Sequence, residues 1–103
     1  MKKVLFVCSQ GMSSAIAVSA LKKEAEKNGI DMDVKAVSTQ EFEEEVKGGY
    51  DVAMVAPQIR HRFDYLKEYA EGAKVPCGLI QPQAYSPLGG PKLLKQVREL
   101  GNF

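Results

Sequence analysis

The segment VLFVCSQGMSSA, residues 4–15, is the part of this sequence that decides the fold. Its first four residues are apolar without alternation, which is typical of a parallel strand buried on both faces. Small and polar residues follow, and an amphipathic stretch begins after them. The segment therefore predicts a strand, a tight loop and the start of a helix, with Cys8 at the point where the strand ends.

The predicted loop would surround the Cys8 sulfur with backbone N–H groups. The first N–H groups of a helix have no partners inside the helix, and the helix dipole is positive there, so this geometry binds anions. The same field favours the thiolate form of a cysteine. A lone cysteine after a strand is usually a buried structural residue. The small polar residues around Cys8 instead favour a reactive thiolate that carries a phosphoryl group, whereas Cys77 has no such loop and is interpreted as a core residue.

Composition restricts the class of protein. The 103 residues suit one domain, 1–103, and 45% hydrophobic with 26% charged residues is ordinary for a globular chain. A formal net charge of +1 gives no electrostatic reason to expect nucleic acid or a bare membrane as partner. The first apolar run is too short for a signal peptide or a membrane span, so we expect a cytoplasmic protein with reduced thiols. One histidine and two distant cysteines do not predict a metal site.

Four strand–helix units follow one another along the chain. Apolar runs predict strands at 3–7, 32–37, 51–56 and 77–80. Helices are predicted at 13–27, 38–47, 59–71 and from 91 onward. A capping box, Ser38 with Glu41, opens the second helix. The side of the first helix expected to face the sheet consists of Ile16, Ala17, Ala20, Leu21 and Ala25.

The strand pattern predicts an α/β fold, a three-layer sandwich with helices on both faces of a four-stranded parallel sheet. The second strand alternates apolar and charged residues, which indicates an edge, while the first and third are continuously apolar. The predicted order is therefore 2-1-3-4. Ligands in such sheets bind at the carboxyl ends of the two neighbouring strands between which the strand order changes direction. Here those are strands one and three. Cys8, Gln58 and the loop 81–90 are all expected there.

Other residues expected near this edge have two interpretations each. Gln58 is a candidate to orient the loop or a phosphate, or a solvated loop amide. Tyr85 is a candidate to cover the phosphoryl group, or an aromatic packed in its loop. Arg60 and His61 begin the predicted third helix. A solvated basic face is favoured over a catalytic role for them, and a role in partner docking is the interpretation between these two. Met12, at the loop tip, suits an adaptable docking surface.

Residues 8–14, Cys-Ser-Gln-Gly-Met-Ser-Ser, resemble the phosphocysteine loop of enzyme IIB components of the sugar phosphotransferase system, lactose/cellobiose (chitobiose) type. The loop C-S-x-G-M-S-[ST] after an apolar strand is the specific part of this resemblance. Residues 56–59, Ala-Pro-Gln-Ile, resemble the family's next landmark. The resemblance extends over the whole chain in length, element order and the loop around Tyr85. It implies a loop like the P-loop of phosphotyrosine phosphatases after strand one.

The resemblance implies a phosphotransferase with a cysteine phospho-intermediate. Cys8 would accept the phosphoryl group from a phosphohistidine of a IIA partner and pass it to a cellobiose-, lactose- or chitobiose-like sugar during transport by a membrane IIC partner. It implies no cofactor or metal, a cytoplasmic chain that meets the membrane through IIC, and we expect a monomer. Docking would involve Met12, Ile59, Arg60 and His61. The phosphoryl oxygens would be held by Ser9, Gln10, Gly11, Met12, Ser13 and Ser14.

Two other functions are considered. A low-molecular-weight tyrosine phosphatase, or an arsenate reductase built like one, has arginine six positions after its cysteine, where this chain has Ser14. Those enzymes also use an aspartate from a distal loop, and residues 81–90 contain none. Hydrolysis should therefore be slow, which suits a carrier. A flavodoxin-like FMN-binding module needs aromatic walls for the flavin, and this chain has no Trp and only Tyr85 in a suitable loop.

Overall fold

The computed structural model of the chain describes residues 2–8, 15–85 and 88–102. Its strands are β1 (Lys2–Cys8), β2 (Met32–Ser38), β3 (Val52–Val55) and β4 (Cys77–Leu79). Its α-helices are α1 (Ala15–Lys27), α2 (Thr39–Glu45), α3 (Phe63–Gly72) and α4 (Gly90–Gly101). Short 3-10 helices lie at Val46–Gly48, Pro57–Arg62 and Pro82–Ala84. The four predicted strand–helix units are thus confirmed, while the predicted start of α1 at residue 13 lies outside the described residues.

The four strands form one parallel sheet in the order β2-β1-β3-β4, as predicted. β1 and β3 are central, and their continuous apolar runs are buried on both faces. The ladder continues past both assigned ends of β3, because the amide of Asp51 donates to Lys3 O at 2.8 Å and that of Ala56 donates to Val7 O at 2.9 Å. These two bonds account for the longer strand, 51–56, predicted from sequence.

Successive residues of β1 point to opposite faces of the sheet and enter two separate cores. Leu5 and Val7 belong to the core that α2 and α3 cover, called here the α2–α3 core. Val4 and Phe6 belong to the core that α1 and α4 cover, the α1–α4 core. Helices therefore cover both faces, which confirms the three-layer sandwich.

The capping box predicted at the start of α2 is present. The Glu41 carboxylate accepts hydrogen bonds from the Ser38 backbone N–H at 3.3 Å and from the Ser38 hydroxyl at 3.0 Å. Because β2 ends at the same Ser38, the box turns the chain directly from strand to helix. This places the start of α2 at the carboxyl end of β2.

Two sequence predictions are wrong in detail. Ile16 was expected to face the sheet, but its side chain is 58% exposed. It lies in the first turn of α1, one turn before Ala20, which Gly90 of α4 approaches. The third helix was predicted to run from 59 to 71, but its first turns form the 3-10 helix Pro57–Arg62, and Ile59 has non-helical backbone angles (φ −116°, ψ 28°).

Close backbone contacts hold α4 against its neighbours. A Cβ on Gly90 would lie 2.8 Å from the carbonyl oxygen of Ala20 in α1, and one on Gly89 would overlap the carbonyl of Ala84. On the other side, Gln96 donates a hydrogen bond to the carbonyl of Leu79 in β4 at 2.8 Å. The start of α4 is therefore seated beside the first turns of α1. Among the described residues, no helix is both long and apolar enough to cross a membrane.

Candidate functional site

The carboxyl end of β1 is the candidate site. Cys8 is the last residue of β1 and pairs with Ser38, the last residue of β2. On its other side, Ala56 continues the ladder beyond β3. Because the order changes direction between β1 and β3, the chain leaves these two strands on opposite sides, and ligands of open α/β sheets generally bind at such a point. Cys8 therefore lies where the sequence predicted the ligand site.

Cys8 is fully buried at this edge. It belongs to the α2–α3 core together with Val37 of β2, Ala56, which follows β3, and Ile59 of the next 3-10 helix. The structure describes α1 again from Ala15, so six residues separate the strand from the described helix. Since α1 follows β1 from its carboxyl end, the positive end of the helix lies at the edge that carries Cys8.

The predicted phosphate-binding residues lie outside the described residues. This holds for the whole set, including the docking candidate Met12: Ser9, Gln10, Gly11, Met12, Ser13 and Ser14. What the structure places around the loop is its two ends, Cys8 and Ala15. Within the described ranges, no group of three His, Cys, Asp or Glu side chains could hold a metal ion.

The 3-10 helix Pro57–Arg62 carries four of the predicted residues to the same edge. Gln58, Arg60 and His61 are exposed, whereas the side chain of Ile59 is only 3% exposed. The amide of Ile59 donates to Ala56 O at 3.1 Å, which pins the turn to the end of β3. Ile59 therefore packs into the core and holds this segment in place. The prediction that a partner contacts Ile59 is corrected, because its side chain is buried. Arg60 and His61 are the described members of the docking set that present side chains to solvent.

Tyr85 also lies at this edge. It follows the 3-10 helix Pro82–Ala84, and its amide donates to Pro82 O at 3.2 Å. Its half-buried side chain packs against both the α2–α3 core and the α1–α4 core. Since Tyr85 follows the carboxyl end of β4, a side chain that reaches both cores lies across that end of the sheet. The structure thus brings Tyr85 to the edge that carries Cys8.

The second cysteine lies elsewhere. Cys77 pairs with Ala53, which pairs with Leu5, so Cys77 is two strands away from β1 and level with a residue three positions before Cys8. At about 4.8 Å per strand and 3.3 Å per residue, this separation exceeds the roughly 7 Å limit for a disulfide. Burial raises the pKa of the Cys77 thiol to about 11. The prediction that Cys77 is a core residue is confirmed.

One exposed residue of this edge was not predicted from the sequence, and another was predicted to be buried. Leu88, just before α4, is 91% exposed, and Ile16 in the first turn of α1 is 58% exposed. Apolar spacing alone assigns such side chains to a core. The sequence holds no local signal of their exposure, because the long runs without a charged residue in which they lie, 4–21 and 75–91, are typical of buried segments.

Residues 3–96 match the family described as "PTS system, Lactose/Cellobiose specific IIB subunit". The chain belongs to this family. The galactose-specific EIIB component of Lactococcus lactis subsp. cremoris is 31% identical over 105 residues, which cover 98% of this chain and 97% of that protein. The cellobiose-specific EIIB component of Lactococcus lactis subsp. lactis matches with the same identity and coverage.

A solved structure shares the fold of this IIB component. The lactose-specific IIB component domain from Streptococcus pneumoniae superposes with a TM-score of 0.81, covers 96% of each chain and is 23% identical. Membership in the IIB family confirms the resemblance found in the sequence and makes the phosphatase alternative the weaker one. The protein is a phosphoryl carrier of a sugar phosphotransferase system, and IIB components work there with IIA and IIC components.

Proposed function

We propose that Cys8 is the residue on which this IIB component carries the phosphoryl group. The observation that supports it is the position of Cys8 at the end of β1, beside the switch in strand order. The N-terminus of α1 faces the same edge, and a helix N-terminus stabilises an anion. Cys77 offers no equivalent site, because it begins β4, away from the carboxyl edge and from the N-terminus of α1, and its thiol pKa is raised to about 11.

The proposed acceptance step is an attack of the Cys8 thiolate on the phosphorus of a IIA phosphohistidine. The S–P bond forms, the P–N bond breaks, and the imidazole nitrogen recovers its electron pair. In the second step a sugar hydroxyl oxygen attacks phosphorus, the S–P bond breaks, and the thiolate is regenerated while the hydroxyl proton passes to a base. A thiolate is both a good nucleophile and a good leaving group, which a carrier requires.

The protein's contribution to both steps is mainly positioning and charge stabilisation, as is general for phosphoryl transfer. In this proposal the N–H groups and hydroxyls of residues 9–14 hold the phosphoryl oxygens. Tyr85 covers the group from the β4 side, and Gln58 orients it from the end of β3. Arg60, His61 and Met12 lie on the surface that a IIA partner covers.

The sugar is proposed from the relatives. The two named above are galactose-specific and cellobiose-specific. We infer that this chain serves a cellobiose- or lactose-like sugar that a membrane IIC partner binds and transports. The chain is proposed to act as a cytoplasmic monomer, because the edge that carries Cys8 must be free for two partners in turn.

The proposal is tested by loading the protein with phosphate. The protein is incubated with phosphoenolpyruvate, the general phosphotransferase proteins and a lactose/cellobiose-type IIA, and its intact mass is measured. One added phosphate is expected on the unaltered chain and on the matched control Cys77→Ser, and none on Cys8→Ser. Serine has nearly the same shape, but its hydroxyl stays protonated at neutral pH.

The exposed His61 is examined in the same assay. His61→Gln should load as the unaltered chain does, because an exposed docking residue does not itself accept the group. Phosphate found on His61, with Cys8→Ser still loading, would transfer the chemistry to the segment after β3 and contradict the proposal.

A further inference from the structure

The two helical layers that cover the sheet carry opposite net charges. Every charged side chain of the sequence lies within the described residues. Helices α1 and α4 together hold six basic and three acidic side chains, which is a net charge of +3. Across the sheet, residues 39–48 and 57–72 hold four basic and seven acidic side chains, which is a net charge of −3. The overall charge of +1 therefore conceals a separation of charge between the two layers.

The positive charges of α1 and α4 lie on one continuous outer face. Both helices bury their apolar residues in the α1–α4 core, and all six basic side chains are exposed. The outer sides of the two helices adjoin, because a groove of about 810 Å³ is lined by Glu24 of α1 and by Lys95 and Arg98 of α4. Glu24, one of the three acidic side chains, is half-buried there. We call this surface the basic face, and its cations are Lys22, Lys23, Lys27, Lys92, Lys95 and Arg98.

We propose that the basic face binds the anionic lipid surface of the membrane that holds the IIC component. The cytoplasmic leaflet of a membrane carries anionic lipids, and each Lys or Arg close to such a surface strengthens binding about fivefold. The three acidic side chains offset part of this attraction, so the binding is weak. The layer across the sheet has the opposite charge and is repelled by the same lipids. The overall charge of +1 gave no reason to expect this contact, because it averages over both layers.

The orientation that follows leaves the candidate site free. The basic face is the outer surface of a layer that packs on one face of the sheet, whereas Cys8 lies at the carboxyl ends of the strands. A molecule that lies on its basic face therefore holds the edge of Cys8 beside the membrane rather than against it. Weak binding also lets the protein leave the membrane to meet a IIA partner. The inference does not require that Cys8 carry the phosphoryl group, because the basic face lies apart from that residue.

The test measures how the full chain partitions onto sedimented lipid vesicles, without IIA, IIC or a phosphate donor. One set of vesicles contains equal parts of phosphatidylglycerol and phosphatidylcholine, and the other contains phosphatidylcholine alone. The double variant Lys92→Glu/Lys95→Glu reverses two charges of the basic face. The matched control Lys47→Glu/Lys67→Glu reverses two exposed charges of the opposite layer and has the same net charge. Circular dichroism checks the fold of each protein, and Lys92→Gln/Lys95→Gln removes the two charges of the basic face without reversing them.

The unaltered chain should bind the anionic vesicles, should not bind phosphatidylcholine alone, and should be released as the salt concentration rises. Lys92→Glu/Lys95→Glu should lower the partition coefficient about twentyfold or more, and the glutamine variant should lower it less.

The control should change the partition coefficient by about twofold at most in roughly 0.1 M salt. The Debye length there is about 10 Å, and even the shortest dimension of the molecule is 19 Å. Equal losses in the two glutamate variants would show that only the net charge matters, and would overturn the inference. An unaltered chain that does not bind the anionic vesicles would also overturn it, and would leave an acidic protein surface as the partner of the basic face.

Discussion

Cys8 and Cys77 carry the same thiol in different surroundings. Both are buried in the α2–α3 core, but Cys77 begins the edge strand β4, where burial raises its pKa to about 11. Cys8 ends a central strand at the edge that the N-terminus of α1 faces. The environment of each sulfur, rather than its identity, decides which one is proposed to react.

We predict that iodoacetamide at neutral pH modifies Cys8 well before Cys77. A thiol with a pKa of about 11 is almost wholly protonated at pH 7, and only the thiolate is alkylated quickly. Peptide mapping of a time course gives the two rates, and Cys8→Ser, with Cys77 alone, supplies the slow reference. Faster modification of Cys77 would mean that the edge does not activate Cys8.

Cys77 should also make stability depend on alkaline pH. Its pKa rises from an ordinary 9.0 to about 11 on folding, so between these values the folded chain keeps a proton that the unfolded chain loses. Stability therefore falls as pH rises through this window, by roughly 2 kcal/mol between pH 8 and pH 10.5. Urea unfolding at both pH values, compared with Cys77→Ala, isolates this contribution. An identical pH dependence in the two proteins would contradict it.

At the level of elements, the sequence was sufficient to predict the structure where one physical signal dominated. The continuous apolar runs of β1 and β3 and the alternation in β2 predicted the order of the sheet, because burial on two faces or one leaves different patterns. The capping box at Ser38 predicted the start of α2 to the residue. The position of Cys8 at the carboxyl edge followed from the order alone.

Other features depended on contacts that no local pattern reports. Ile16 has the spacing of a core residue, but its side chain is 58% exposed, and the close approach of α4 to α1 lies one turn further along, at Ala20. Ile59 and Phe63 have α-helical spacing, yet the chain after Pro57 forms a 3-10 segment in which Ile59 has non-helical backbone angles. The exposure of Leu88 depends on how the segment before α4 is seated against α1. These are properties of the packed molecule.

The close packing of the loop before α4 can be tested by substituting Gly89. A Cβ at this position would overlap the carbonyl of Ala84, a rigid backbone atom of the turn that precedes Tyr85. We expect Gly89→Ala to cost about 2–3 kcal/mol of stability in chemical denaturation. Gly72→Ala is the control, since a Cβ at the end of α3 meets nothing within 4 Å. Equal stability of the two variants would show that the loop before α4 yields easily.

On the scale of the whole molecule, the two ends of the sheet carry different kinds of residue. The carboxyl edge carries Cys8, the exposed segment after β3, Tyr85 and the exposed side chains of Ile16 and Leu88. The opposite end is held by structural bonds, such as the Asp51 carboxylate accepting from the Lys3 amide at 2.8 Å. A preformed anion site at one edge needs little movement elsewhere.

Phosphorylation should therefore change the amide resonances of one edge only. In ¹⁵N–¹H spectra recorded before and after loading, we expect the largest shifts at Cys8 and in the segment that follows it, with smaller shifts at Gln58 and Tyr85. Lys3 and Asp51 at the other end should keep their positions. Large shifts at those two residues would contradict a local, preformed site.

The most direct test of the central claim follows the phosphoryl group itself. Protein is labelled with ³²P through IIA and purified. One portion is digested to map the label. The others are incubated in buffer alone or with membrane vesicles and sugar. The label should map to the peptide that contains Cys8, remain on the protein in buffer, and appear as sugar phosphate when vesicles and sugar are present. Label on another residue, or its rapid release as inorganic phosphate in buffer alone, would contradict the assignment of Cys8 as a phosphoryl carrier.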